Sequence, residues 1–306
     1  MGTFILRRAF QGLLVVLGVT IVVFIATRLI GDPAKVMLPL SATDAQRAAF
    51  EAQFGLDKPL DQQFFAFIGD LMSFDFGESI WQRKPALDVV LGKLPKTLEL
   101  IGAGMFLAVA IGIPLGAIAA VRPDGLFDRL IVGLSLTGLS IPQFWLGLLL
   151  IMIFAVGLGW VPTSGTGTLA HLILPAVTLA VPAMARIMML VRSSVINELN
   201  QQYVRTAKAR GLPFVRVLFQ HAMRNALVPV LTLAGWEVIS AWAGYTVVVE
   251  TVFAWPGLGF TAMKAIGQSD LFLLQAIVFV VAVGIVIVNI LLDVLFKLID
   301  PRIKDA

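Results

Sequence analysis

The chain has no cysteine and only two histidines, and just 14% of its 306 residues are charged. Without cysteine there is no disulfide, no thiolate metal site and no thiol nucleophile. The two histidines, His171 and His221, stand in no H-E-x-x-H pattern. A G-x-x-x-x-G-K-[S/T] phosphate loop is missing as well, because the nearest candidate, Gly92-Lys93, is followed by Leu94. Ser164 and His171 are close in sequence, but residues 163–168 form a Gly/Thr turn cluster and read as a polar loop rather than a nucleophile site. Catalytic, metal-binding and nucleotide-binding roles therefore have little to stand on in this chain.

What is abundant is apolar: 58% of residues are hydrophobic, against about 45–50% in soluble domains. A membrane-crossing helix needs about 20 such residues. Runs of that kind cover residues 9–27, 100–121, 130–157, 171–191, 226–249 and 271–292. The first is entered by Arg7 and Arg8, but it is longer than a signal-peptide core and no small-x-small cleavage site follows, so it reads as a retained helix. The expected fold is an all-α integral membrane protein with six transmembrane helices. A long outer segment, 31–96, follows the first helix (1–30), and 97–306 forms the core.

Orientation comes from the loops rather than from the net charge of +4, which accordingly says nothing of nucleic acid. Residues 191–225 carry Arg192, Arg205, Lys208, Arg210, Arg216 and Arg224 against Glu198 alone, whereas 31–96 is net −2. The excess of Lys and Arg places both termini and the 192–225 loop in the cytoplasm. Within the outer segment, Thr43-Asp-Ala-Gln46 is a capping-box pattern that predicts a helix up to Gly55. A second helix is expected from Pro59, with Phe64, Phe65, Ile68 and Leu71 on one face. This segment is either a cap over helix ends or a docking surface for an external protein.

The 192–225 loop contains Tyr203-Val-Arg205-Thr206-Ala207-Lys208-Ala209-Arg210-Gly211, followed by Leu-Pro213. This is one short basic helix, closed by a left-handed glycine and a proline that cannot continue it. Such a cytoplasmic helix offers a handle to a cytosolic partner. Within the spans, Glu237 stands out, since an ionisable group at a helix centre costs about 2.5–3.5 kcal/mol. It either faces a water-filled path or pairs with Arg186 of the preceding span. Pro142 interrupts the third span, and Gly112 and Gly116 flank Pro114 at a spacing that allows close helix approach. At the outer end of the fifth span, Glu250-Thr-Val-Phe253-Ala-Trp255-Pro256-Gly-Leu-Gly259 is apolar yet cannot remain helical. It reads either as a re-entrant turn at a channel mouth or as an aromatic anchor in the interface.

These segments resemble the permease subunits of binding-protein-dependent ABC importers for dipeptides, oligopeptides, nickel and glutathione. The resemblance rests on Phe54-Gly-Leu-Asp-Lys-Pro-Leu60, Ser140-Ile-Pro142, Leu158-Gly-Trp-Val-Pro162 and Ile173-Leu-Pro-Ala-Val-Thr-Leu179. It continues through Tyr203–Gly211, Arg224-Asn-Ala-Leu-Val-Pro229, residues 249–259 and Asp300-Pro-Arg302. The long segment 31–96 is similar to the B-type member of the permease pair. In that family an E-A-A-x-x-x-G motif docks into a groove of the ATPase. Aligned on Gly211, the motif falls on Arg205, Thr206 and Ala207, with Lys208, Ala209 and Arg210 as the variable three, and the glutamate is absent.

The resemblance implies alternating access driven by two cytosolic ABC ATPases, which hold the ATP and Mg, so that this chain binds no cofactor of its own. It also implies a homologous second permease, an extracytoplasmic solute-binding protein and a lipid-embedded location. Tyr203 to Gly211 would carry the coupling, and Glu237, Glu250, Phe253, Trp255 and Pro256 are the candidates for the path. Peptides are the leading cargo, with nickel complexes, glutathione, opines and oligosaccharides as alternatives. A different class remains open, an ion-coupled secondary transporter using Glu237, although the half-to-half symmetry expected of such folds is not visible.

Overall fold

The computed structural model describes residues 2–29, 38, 41–53 and 55–299. Phe54 and the Asp300-Pro-Arg302 motif lie outside them. In chain order the helices are α1 (Gly2–Leu29), α2 (Asp44–Gln53), α3 (Leu60–Met72) and, after a small hairpin, α4 (Ala86–Val121). Then come α5 (Leu126–Ser140), α6 (Gln143–Gly157), α7 (Leu169–Leu199), α8 (Gln202–Ala209), α9 (Phe214–Val252), α10 (Leu258–Gly267) and α11 (Leu271–Ile299). The hairpin pairs β1 (Glu78–Ser79) with β2 (Lys84–Pro85). Among the described residues five helices are long and apolar enough to cross a membrane, and the bent pair α5 and α6, taken as one broken span, brings the number to six.

The chain divides into two compact units, Met1–Thr97 with Pro256–Ala306, and Leu98–Trp255. In the first, α1 is joined to α11 by an ion pair from Arg8 Nε to Asp293 Oδ2 at 3.0 Å. Helix α2 opens on the expected capping box, with the Thr43 amide donating to Gln46 Oε1 at 2.9 Å and the Gln46 amide to Thr43 Oγ1 at 3.3 Å. Helix α3 begins after Pro59 as expected, but its inner face is different. Phe65 is 72% exposed. Burial instead follows Gln63, Phe64, Phe67, Ile68 and Leu71, because Phe64 and Phe67 both meet the Phe24 ring of α1 at 5.3 Å.

The hairpin was not expected, and it is held from a distance. The carboxylate of Asp270, buried at the start of α11, accepts from the Ser79 hydroxyl (2.6 Å), the Trp81 amide (3.1 Å) and the Leu273 amide (3.1 Å). One side chain thus caps a helix and fixes two tiny strands that have no core of their own. Leu71, Phe76, Val89, Val90, Leu258 and Leu273 lie in the apolar cluster of this unit.

In the second unit α7 is the central post. Twelve of its residues are buried, although Pro175 and Pro182 lie inside it. Helix α4 comes very close to it: a Cβ on Gly116 would lie 2.5 Å from the carbonyl oxygen of Met188, and one on Gly112 would lie 3.2 Å from that of Met184. The small-residue spacing therefore brings two backbones together, as the sequence suggests.

The third span is not one kinked helix. It breaks into α5 and α6, bent by 105°, because Pro142 forces Ile141 into an extended conformation (φ −81°, ψ 123°). Helix α5 buries Asp128, Ile131, Ser135 and Gly138, a stripe of helical period that faces α7. The helices also outrun the apolar runs: α7 continues past residue 191 to Leu199, and α9 begins at Phe214 rather than at 226. The bilayer limits the length of an apolar run and not the length of a helix.

Candidate functional site

The basic segment folds as expected. Helix α8 spans Gln202–Ala209, and Arg210 ends it before Gly211 at φ +77°. The Gly211 amide donates to Lys208 O (3.0 Å) and the Leu212 amide to Ala207 O (3.3 Å). Those two bonds are the paired closure of a Schellman motif, and the left-handed conformation they need is cheap only for glycine. Val204 and Ala207, three residues apart, are buried with Val217, and Leu199 and Leu212 pack on the same cluster. The helix is therefore seated on the body of the protein by one narrow stripe.

The rest of the helix is exposed: Arg205, Thr206, Lys208, Ala209, Arg210 and Gly211 all face outward. The ammonium of Lys208 lies 5.9 Å from the centre of the Phe214 ring. Tyr203 fixes the N-terminal end. Its hydroxyl donates to Glu198, at the end of α7, and accepts from Asn225 Nδ2 of α9 at 3.2 Å. Partial burial pushes the Tyr203 phenol above its usual pKa, and its bond to Glu198 adds to the rise. The helix is tied to both of its neighbours. The chain after it runs through a wide π-helical turn, Val217–Ala222, of the kind often found at working sites.

Above this handle, two arginines of α7 hold two carboxylates. Arg186 donates through Nε to Glu237 Oε1 and through Nη2 to Oε2 at 2.7 Å. Arg192 donates through Nε to Asp128 Oδ1 and through Nη2 to Oδ2 at 2.6 Å. Both are two-pronged forks, the strongest ordinary geometry for this pair of groups. Both carboxylates are 2% exposed, while Arg186 and Arg192 are 33% and 26% exposed. Of the two readings of Glu237, the pairing with Arg186 is present, and it leaves Arg186 as the outward member. Asp128 was not singled out from the sequence, because the charges around residues 122–129 cancel and hide a carboxylate at the head of a span.

The apolar turn folds inward. Phe253 and Trp255 are buried to within about 1%, so they do not anchor in lipid. The Phe253 ring fills the space beside Gly147, its carbonyl accepts from the Gly165 amide at 2.9 Å, and the Trp255 amide donates to Glu250 O at 2.9 Å. Glu250 is buried and Pro256 is half-buried. His171 closes a capping box with Thr168 at the start of α7. Among the described residues, no three acids or histidines are grouped to hold a metal ion. In the other unit, a cleft of about 350 Å³ is lined by Lys58, Gln63, Asp70, Asp75, Phe272 and Gln275 among others. Asp70 is exposed at the rim of this cleft, and partial desolvation, then the neighbouring Asp75, push its carboxyl above its ordinary pKa.

The sequence matches the family described as binding-protein-dependent transport system inner membrane component over residues 112–305, and the N-terminal component of such systems over residues 1–101. It is 39% identical to the oligopeptide transport system permease protein AppB of Bacillus subtilis, over 99% of this chain and 100% of that protein. It is 41% identical to the di/tripeptide transport system permease protein DppB of Pseudomonas aeruginosa, over 99% of each. Among solved structures it is similar to inward facing conformations of the MetNI methionine ABC transporter, with a TM-score of 0.59 and 19% identity. That match covers 69% of this chain and 96% of the other, and at that identity it speaks for the fold.

Proposed function

Since this chain belongs to the family of binding-protein-dependent transport system inner membrane components, we propose that it forms one half of the path by which di- or oligopeptides cross the bacterial inner membrane. A homologous permease supplies the other half, and a solute-binding protein delivers cargo from outside. Two cytosolic ABC ATPases hold the ATP and Mg and drive the cycle, and this chain performs no hydrolysis. Both termini and α8 face the cytoplasm, in keeping with the Lys and Arg excess of residues 191–225. Peptide cargo is favoured by the names of the two permeases above, both near 40% identity over their whole length.

The observation that carries the reading is the build of α8: a rigidly capped, mostly exposed helix tied to two spans. A lever must not absorb the stroke it transmits. Here Tyr203 reaches Glu198 of α7 and Asn225 of α9. Arg192 then joins α7 to α5, and Arg186 joins it to α9. Displacement of α8 accordingly moves three spans as one body. At the path, Glu237 is neutralised by Arg186, so the pair meets cargo through the guanidinium. Glu250, Phe253, Trp255 and Pro256 shape the outer mouth. A coupling ion would find no free charge at Glu237, which weighs against ion-coupled transport.

The test is uptake. Cells lacking this chain should lose accumulation of a labelled tripeptide and keep that of the free amino acids, and its return should restore accumulation. Undiminished tripeptide uptake in the deletion strain would overturn the cargo.

A further inference from the structure

The exposed face of α8 and its flank is cationic without relief. Arg205, Lys208, Arg210 and Arg216 are all exposed, and residues 199–225 contain no Asp or Glu. The nearest acid in the chain, Glu198, is taken up by the Tyr203 hydroxyl and approached by Asn225 Nδ2 at 3.5 Å. Among the described residues, Arg205, Arg210 and Arg216 meet no carboxylate within ion-pair distance. Between the cations lie Thr206 and Ala209, also exposed. These are small side chains that allow another surface to close on the helix. The Schellman closure at Gly211 and the Val204 and Ala207 seat fix the spacing of the charges.

Building on the reading that an ATPase receives α8, we infer that the receiving groove is acidic: it presents carboxylates to Arg205 and Arg210, and docking is held by ion pairs whose positive members all belong to this chain. Arg205 stands where the related motif has its glutamate, so a cation takes the place of an acid at this position. Guanidinium groups suit this role because each can donate two parallel hydrogen bonds to one carboxylate. A cationic helix near a membrane also attracts anionic headgroups. A headgroup, however, gains nothing from small residues interleaved with the charges or from a fixed spacing, whereas a protein groove does.

The experiment uses the importer assembled with its own ATPases in nanodiscs of neutral phosphatidylcholine. The readout is ATPase retained on a tagged copy of this chain. Going from about 0.1 M to about 1 M salt shortens the Debye length from about 10 Å to about 3 Å, and retention by the unaltered chain should fall steeply. Arg205→Glu and Arg210→Glu should each cut retention at low salt by about tenfold or more, while Arg205→Lys, which keeps the charge but loses the fork, should cost less than the reversal.

Retention that ignores both salt and charge reversal would overturn the inference. So would a loss seen only when anionic lipid is added to the discs, which would assign the cations to headgroups. Docking itself is tested separately, by whether a thiol at Ala209→Cys crosslinks to the ATPase at low salt. Crosslinking with charge-insensitive retention sinks the acidic groove alone, and no crosslinking sinks the docking itself.

Discussion

Arg192 grips Asp128 with both nitrogens of its fork, across 64 residues of sequence, where α7 leaves the apolar region and α5 begins. Asp128 also accepts from the Asp124 amide at 2.8 Å, so the same carboxylate shapes the short turn ahead of α5. Removing one partner strands the other. Asp128→Leu or Arg192→Met should destabilise the protein by about 3 kcal/mol, the lower end for a broken buried pair, because Arg192 keeps some contact with solvent. Thermal unfolding in detergent reads this out, and the exchange Asp128→Arg with Arg192→Asp should recover part of the loss.

The Arg186 and Glu237 fork makes a prediction on transport rather than stability. Glu237→Gln keeps the shape of the side chain and removes its charge, leaving Arg186 with one weaker acceptor. Uptake of a zwitterionic peptide should fall several-fold while the complex still assembles and its ATPase still turns over. Unchanged uptake would remove the pair from the path.

Gly211 sits at φ +77°, so Gly211→Ala should cost about 1 kcal/mol and loosen the end of α8. Gly211→Asn should cost less, because asparagine tolerates that region. The ATPase activity of the assembled importer is the sensitive readout, and the alanine variant should lose coupling while still inserting in the membrane.

Gly116 faces the Met188 carbonyl with no room for a methyl group. Gly116→Ala should destabilise by about 1–3 kcal/mol as α4 and α7 are forced apart. Gly102, which has open space where a Cβ would be, should accept alanine with little change in unfolding temperature.

Asp70 gives a pH signature. Its folded pKa is raised by partial desolvation and by Asp75, so the folded state binds its proton more tightly than the unfolded chain does. That contribution favours folding below the ordinary carboxylate pKa and is lost as pH rises through the folded value. Asp70→Asn should therefore stabilise the protein at neutral pH and make no difference in acid well below the ordinary value. A stabilisation that persists unchanged in acid would show that the effect is not one of charge.

The membrane character, five of the six expected spans, the capping box at Thr43 and the whole of α8 are legible in the sequence, because each is written locally in a run, a cap or a Gly/Pro stop. The long-range pairings are not. Arg192 and Asp128 meet only once α5 lies along α7, and the two-residue strands exist only because Asp270, nearly 190 residues on, grips Ser79 and Trp81. The break at Pro142 is visible as a proline, but its 105° bend depends on where Ile141 is allowed to go. Phe65 sits beside Phe64 in sequence, and which of the two faces inward was decided by Phe24 of α1.

Coupling requires α8 to meet an ATPase, and the missing cysteines make that measurable. A single thiol introduced as Ala209→Cys, on the exposed face, would be crosslinked with a short reagent in native membranes and the adduct identified by mass spectrometry. The account predicts an ABC ATPase in the adduct and a thiol shielded from reagents added outside. A thiol labelled from outside, with no ATPase captured, would contradict both the orientation and the coupling.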